Sequence, residues 1–120
     1  MNNEGEHPTS RILVLRDTED DDGSVWRAVV HYADGCLAIQ GFDTGAGVRR
    51  VHDADGHEFA RDLSAAETAR LRVLLGVAEG DDLLAAIAQR FTTTAELSEY
   101  LNEAGIPGTY AEWTHRDPPG

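Results

Sequence analysis

The sequence contains no lysine, a single cysteine and few aromatic residues. Because Cys36 is alone, an internal disulfide is impossible, which agrees with a reducing compartment. No apolar run approaches the roughly 20 residues that a membrane-spanning helix needs. The first ten residues carry acids and a proline where a signal peptide needs positive charge and an apolar segment. We therefore expect a cytoplasmic protein that makes no membrane contact.

Acidic residues are plentiful in both halves of the chain. There are 22 Asp and Glu against 10 cations, all arginine, for a net charge of −12. Residues 1–62 hold 13 acids and 6 arginines (−7), and residues 63–120 hold 9 acids and 4 arginines (−5). Such a field repels nucleic acid and anionic lipid and speeds the encounter with a basic protein. We expect a basic protein as the partner, and no nucleic acid.

The length of 120 residues, 41% hydrophobic and 27% charged, is that of one ordinary globular domain. We place it at residues 11–115, between a flexible tail (1–10) and a frayed end (116–120). Arginine without lysine, with much Ala, Gly and Asp, is typical of high-GC genomes and points to an actinobacterial source.

Three Asp-Gly dipeptides divide the first half into β-type segments. Asp-Gly is a hairpin signal because a type I′ turn needs positive φ at both central residues. The dipeptides are Asp22-Gly23, Asp34-Gly35 and Asp55-Gly56. Residues 46–52 fit either a strand or a short helical turn. In the second predicted strand, the Trp26, Ala28, Val30, Tyr32 face is apolar and the Val25, Arg27, Val29, His31 face is mixed, which favours a sheet buried on one side.

After Leu63 the apolar period changes from 2 to 3.6 residues, which predicts three helices. Two capping boxes mark helix starts at Ser64/Glu67 and Thr93/Glu96, and Asp81 or Asp82 caps the helix between them. The aromatic residues of the last segment, Tyr110 and Trp113, suggest that it folds back on the body. We predict an α+β domain: an antiparallel sheet of four or five strands in a hairpin meander, followed by three helices packed on one face.

The segment "RDTEDDDGSVW" (16–26) has five acids in six positions before a glycine. A calcium loop with Gly23 at its sixth position would have Thr18 first and Val29 twelfth, where carboxylates are required. No pair of His and Cys residues has the short spacing of a zinc site, although Cys36 and His31 fall near one hairpin. We predict neither a metal nor a cofactor.

The segment "GFDTGAG" (41–47) resembles the active-site signature of retroviral-type aspartic proteases, with Asp43 in the catalytic position. The downstream segment departs from that family, because "VLLG" (73–76) has a helical pattern where an apolar strand is needed. No serine lies in a nucleophile motif. We therefore do not expect an enzyme, and keep a protease built on Asp43 as a distant alternative.

The surplus of acids suggests a binding surface, although acids also simply keep a small domain soluble. The predicted partner-binding residues are Asp20, Asp21, Asp22, Glu96, Glu99, Glu103 and Trp113.

The whole pattern resembles a family of small acidic actinobacterial proteins. It is carried by "GFDTGAGV", "HEFARDLSAAE", "DDLLAAIAQRF" and "LNEAGIPGTYAEW". Some members of that family look like immunity proteins of secreted toxins, so the resemblance implies a binding role without a catalytic residue. Our first hypothesis is an immunity or inhibitor protein that neutralises a basic toxin or enzyme. The alternative is a regulatory or scaffold module, monomeric or homodimeric, that binds through the sheet face or the C-terminal aromatics.

Overall fold

The computed structural model describes residues 10–115, which form an α+β fold of five strands and four helices. The predicted fold class is thereby confirmed at the level of an α+β fold with a five-stranded antiparallel sheet. Most of the predicted tails lie outside the described residues, and Ser10 is the first residue of a strand. The elements are β1 (Ser10–Asp20), β2 (Gly23–Tyr32), β3 (Leu37–Thr44), α1 (Ala46–His52), β4 (Gly56–Leu63), α2 (Ala65–Leu75), α3 (Leu83–Arg90), α4 (Thr94–Ala104) and β5 (Thr109–His115).

The strands lie in the sheet in the order in which they occur in the chain, β1-β2-β3-β4-β5, and all neighbours are antiparallel. The meander is therefore as predicted. A bulge between Val14 and Arg16 shifts the register of β1 against β2. None of the helices within residues 10–115 has the length and apolarity needed to cross a membrane.

Two details of the predicted order were wrong. The helices do not all follow the sheet, because α1 lies between β3 and β4 and because the last segment returns as β5 beside β4. Val48 and Val51 are three residues apart, a spacing that places them on one face of a helix, but the segment is too short for its period to exclude a strand. Asp55-Gly56 consequently connects α1 to β4 and is not a hairpin turn.

The first two Asp-Gly turns do connect consecutive strands, but they are not of type I′. Gly23 and Gly35 have positive φ, whereas Asp22 and Asp34 do not. A Cβ at Gly23 would overlap the carbonyl oxygen of Thr44, so this position requires glycine for space as well as for conformation. Tertiary packing against the start of α1 therefore shapes the first turn.

The helices pack on one face of the sheet, and it is the face that is mixed in polarity on β2. There, Val29, Ile39 and Leu63 are fully buried against the helical layer. The helical side of this core consists of Leu71, Leu83, Leu84, Ile87, Phe91, Leu97, Leu101 and Ile106. The other face, with Trp26 and Tyr32, points away from this core.

Predicted helix caps are present at all three of the longer helices. The Ser64 and Thr93 hydroxyls accept from the N–H groups of Glu67 and Glu96, and both glutamates return the bond in complete capping boxes. At α3, Asp82 and not Asp81 is the cap, accepting from the Ala85 N–H at 3.1 Å. The short-range signals therefore defined these helix starts correctly.

Candidate protein-binding surface

The acidic turn between β1 and β2 is held against the start of α1. The N–H of Gly47 donates to the carbonyl oxygen of Asp22 at 3.1 Å, and the hydroxyls of Ser24 and Thr44 hydrogen-bond at 2.6 Å. Within the turn, the N–H of Asp22 donates to Asp20 Oδ1 at 2.8 Å. The backbone of this turn is therefore anchored to α1 and β3 at Asp22 and Ser24, and Asp20 is hydrogen-bonded to the anchored Asp22.

Most of the carboxylates on this hairpin face solvent without a cation. Asp17, Glu19 and Asp21 are exposed and have no ion pair among the described residues. Asp22 has a loose pair with Arg50, 3.6 Å from its Oδ2, and both side chains are largely exposed. A dense negative charge at one fixed position is the result.

A shallow cavity of about 260 Å³ lies beside this turn, under α1. Its walls are apolar, and carboxylates stand at its margin. The side chains that define it are Val25, Val48, Val51, Asp20, Asp22 and Asp43. Valine walls beside carboxylates have the chemistry to receive the aliphatic stem and cationic head of an arginine or lysine side chain.

The predicted acids of α4 do not share one environment. Glu96 is used by the fold, since Oε1 accepts from the hydroxyl and N–H of Thr92, both at 2.7 Å. The bond from the Thr92 hydroxyl, followed by those from backbone N–H groups, lowers the pKa of Glu96. Glu99 and Glu103 are exposed and border a groove with Arg90, whose guanidinium stacks over the Tyr100 ring at 4.9 Å.

The seven predicted binding residues therefore occupy three separate elements. Asp20 to Asp22 lie at the β1–β2 turn, the glutamates lie on α4 in the helical layer, and Trp113 lies on β5 on the face away from the helices. The structure brings the three aspartates together, but it does not join them with α4 or with Trp113 into one patch.

The sheet face opposite the helices exposes a row of large apolar side chains. Cross-strand register aligns the half-buried Trp26 with Phe42, and the row continues through Glu58 on β4 to Trp113 on β5. Ile12 and Val14 of β1 are 57% and 48% exposed, and Trp113 is 49% exposed. No helix of the described chain covers this face, because the buried helical residues all contact the other one.

Small residues lie between the larger ones on this open face. One row across the sheet runs Val14, Ala28, Gln40, Ala60, Ala111. The Tyr32 hydroxyl is 3.5 Å from Gln40 Nε2, so its ring leans along the sheet toward this row. Burial and the nearby Asp62 raise the pKa of Tyr32, which therefore stays a neutral hydrogen-bonding group at physiological pH.

Three of the four carboxylates on the open face lie toward its margins, and Glu58 lies within it, between Phe42 and Trp113. Strand alternation assigns to this face Asp17, Glu19, Glu58 and Asp62. His115 Nε2 lies 3.1 Å from Glu58 Oε1, and no arginine of residues 10–115 belongs to a strand position on this face. Arg49 lies beside Phe42 at one end, where it pairs with Asp55 at 3.1 Å.

Asp43, the candidate protease residue, lies in an ion pair on the helical side of the sheet. Its two carboxylate oxygens accept from Arg27 Nη1 and Nη2 at 2.6 and 3.0 Å. The same guanidinium stacks over the Phe59 ring at 5.0 Å. A carboxylate committed to a bidentate arginine cannot share a proton with a second aspartate, so this geometry gives a protease no support.

Two of the described histidines, His52 and His57, contact each other through their rings. His52 stacks on His57 at 4.0 Å, and His57 Nε2 lies 3.0 Å from Glu112 Oε2. Among the residues that the structure describes, no three His, Cys, Asp or Glu side chains are arranged to hold a metal ion. Burial raises the pKa of the Cys36 thiol, which keeps it protonated and a poor nucleophile.

The sequence offered the sheet face as an alternative binding surface, but the polarity of β2 did not indicate which of its two faces stays open. The apolar Trp26 side of β2 looks like the buried side by alternation alone. A usable signal was present, since Ile12, Val14 and Trp113 also fall on that side once the strands are paired. Pairing of β1 and β5 is long-range information that alternation within one strand does not contain.

Comparison with known proteins found no relative: no family model, no curated protein and no solved structure matches this chain.

Proposed function

We propose that this chain is a non-enzymatic acidic binding domain that inhibits a basic protein, as an immunity protein inhibits its toxin. The observation that carries the proposal is the fixed acidic turn between β1 and β2. Charge that serves solubility alone needs no defined position, whereas these carboxylates sit on a backbone anchored to α1. The resemblance to small acidic actinobacterial proteins supports the same function.

Anchoring matters because binding then costs little conformational entropy. A basic partner is drawn in by the net charge of −12 and meets carboxylates that are already in place. The valine-walled cavity beside the turn adds an apolar contact for the stem of one cationic side chain. Inhibition follows if the covered surface of the partner includes its active site.

The test is a low-salt pull-down from native cell extract, followed by binding kinetics with the purified partner. We expect the association rate to fall steeply with added salt. Reversing Asp21→Lys and Asp22→Lys together should slow association about tenfold, because both charges lie at the turn. The matched control, Glu79→Lys with Asp81→Lys, changes the net charge equally at another exposed site and should slow association by no more than about twofold.

A salt-independent interaction would contradict this function. Such a result would favour the second candidate, a regulatory or scaffold module that binds by apolar contact, for which the exposed open face is the supporting observation. A gene for a large secreted toxin directly beside this gene would support the inhibitor.

A further inference from the structure

The open sheet face carries exposed apolar side chains that the fold itself does not use. We propose that this face is the docking surface for the basic partner, which meets it with a flat apolar patch flanked by arginine or lysine. The charge of the partner is taken from the proposed function, so this inference deepens that function. The acidic turn then steers the encounter, and the face supplies most of the contact.

Contiguity distinguishes this face from ordinary surface. Single exposed apolar residues are normal on soluble proteins, but connected apolar patches mark interaction sites. Here the large apolar residues are neighbours in the sheet: Ile12 and Val14 alternate on β1, and the half-buried Trp26 pairs with the exposed Phe42. The smaller residues Ala28, Val30 and Ala38 between them are buried. Tryptophan and phenylalanine are enriched at protein interfaces, and tryptophan is common among binding hot spots.

The size of the face suits a protein partner. Five strands about 4.8 Å apart, over about 20 Å of strand, give a footprint of about 500 Å². A stable interface of standard size buries about 800 Å² on each partner. The face alone therefore supplies more than half of such an interface, and the adjacent acidic turn lies close enough in the β1–β2 hairpin to contribute to the rest.

Charge decides what kind of protein fits. The described face carries four carboxylates. Asp17, Glu19 and Asp62 lie toward its margins, and Glu58 lies between Phe42 and Trp113. No arginine lies at a described strand position of the face, and Arg49 beside Phe42 is paired with Asp55, so the charge on the face is mostly negative. Complementarity therefore requires cations around the apolar patch of the partner.

The same charges argue against a second copy as the occupant. Two copies docked face to face would bring four carboxylates from each chain together, with Arg49 at the end of the face already paired with Asp55. Like charges placed opposite one another disfavour an interface. The net charge of −12 on each chain adds a long-range repulsion.

The proposal is tested with the partner captured from native extract, identified and purified, using two variants of one strand. Trp113 and Tyr110 both lie on β5, are 49% and 57% exposed, and point to opposite faces of the sheet. We expect Trp113→Thr to weaken binding about tenfold or more and Tyr110→Thr to change it by less than about twofold. Ile12→Thr on β1 should weaken binding as well. Threonine keeps β propensity, and circular dichroism confirms folding of each variant.

The two proposals fail in different ways. If the proposed function is wrong, no basic protein is captured in a salt-dependent manner. If only the docking face is wrong, the partner binds, Asp21→Lys with Asp22→Lys slows association, and Trp113→Thr binds like the wild type. The docking face is also wrong if Tyr110→Thr weakens binding as much as Trp113→Thr does. It is wrong as well if sedimentation equilibrium shows a homodimer that Trp113→Thr dissociates. Tighter partner binding after deletion of residues 1–9 would also contradict the proposal, because it would mean that this segment occupies the open face.

Discussion

Arg61 shows how a single buried cation can organise the C-terminal part of this fold. It lies on β4 with only 8% of its surface exposed, and it donates to the carbonyl oxygens of Ser98, Ile106 and Pro107 and to Asn102 Oδ1. These acceptors lie in α4 or just after it, toward the C-terminal end of the helix, where the helix dipole is negative. The sheet is thereby tied to the end of α4.

Replacing Arg61 should be among the most damaging changes at a charged position. Arg61→Met is expected to lower the free energy of unfolding by about 3 kcal/mol, because several buried carbonyl oxygens lose their donor. Denaturant titration measures this loss. The control is Arg70→Met, since exposed Arg70 reaches the same helix end only through bonds of 3.4 Å to Ala104 and Gly105. A loss at Arg61 no larger than at Arg70 would contradict the anchoring role.

At the scale of elements, the helix starts use acids whose charge stabilises the fold. The backbone N–H of Ser64 is the largest cause of the lowered pKa of Glu67, and hydrogen bonds from Thr92 lower that of Glu96. Arg11 does the same for Asp82, the cap of α3, through a 2.8 Å bond. The cap or first turn of α2, α3 and α4 therefore contains an acid that ionises more readily in the folded state than in the unfolded one.

This difference in pKa determines how the free energy of unfolding changes at acidic pH. A carboxyl whose pKa is lower in the folded state contributes stability above its unfolded value, about 4.3 for Glu, and loses it as pH falls through the folded value. We expect Glu67→Gln with Glu96→Gln to flatten the decline in unfolding free energy below about pH 4.3. Glutamine still completes a capping box, so the variant should fold.

The measurement is urea unfolding at several pH values, with Glu99→Gln and Glu103→Gln as the charge-matched control. Those two glutamates lie on the exposed side of α4 and cap nothing. An acid limb as steep in the capping variant as in the wild type would show that other carboxyl groups cause acid unfolding.

For the whole molecule, self-repulsion is the main electrostatic fact. The net charge of −12 remains after every cation is counted, and most of the ion pairs within residues 10–115 are solvent-exposed and weak. The repulsion is screened by salt, since the Debye length falls from about 30 Å at about 0.01 M to about 3 Å at about 1 M. The folded state should therefore be less stable in dilute buffer than in moderate salt.

We expect the melting temperature to rise as sodium chloride is added over this range. The physical reason is that screening removes like-charge repulsion from a compact acidic chain faster than it weakens the few exposed ion pairs. Calorimetry at neutral pH measures the shift, and the Asp21→Lys, Asp22→Lys variant, with a smaller net charge, should show a smaller rise. A melting temperature that falls with salt would mean that ion pairs dominate.

The sequence alone determined the parts of this protein that depend on neighbours along the chain. The capping boxes at Ser64 and Thr93, the first two strand connections and the acidic character all follow from local chemistry. The α1 helix was left open because a segment of seven residues is too short for its apolar period to decide between helix and strand. Which sheet face the helices cover, and hence which face stays open, was decided only by the tertiary structure. It depends on the apolar stripes of three helices packing against Val29, Ile39 and Leu63 together, a long-range choice that the alternation of one strand cannot express.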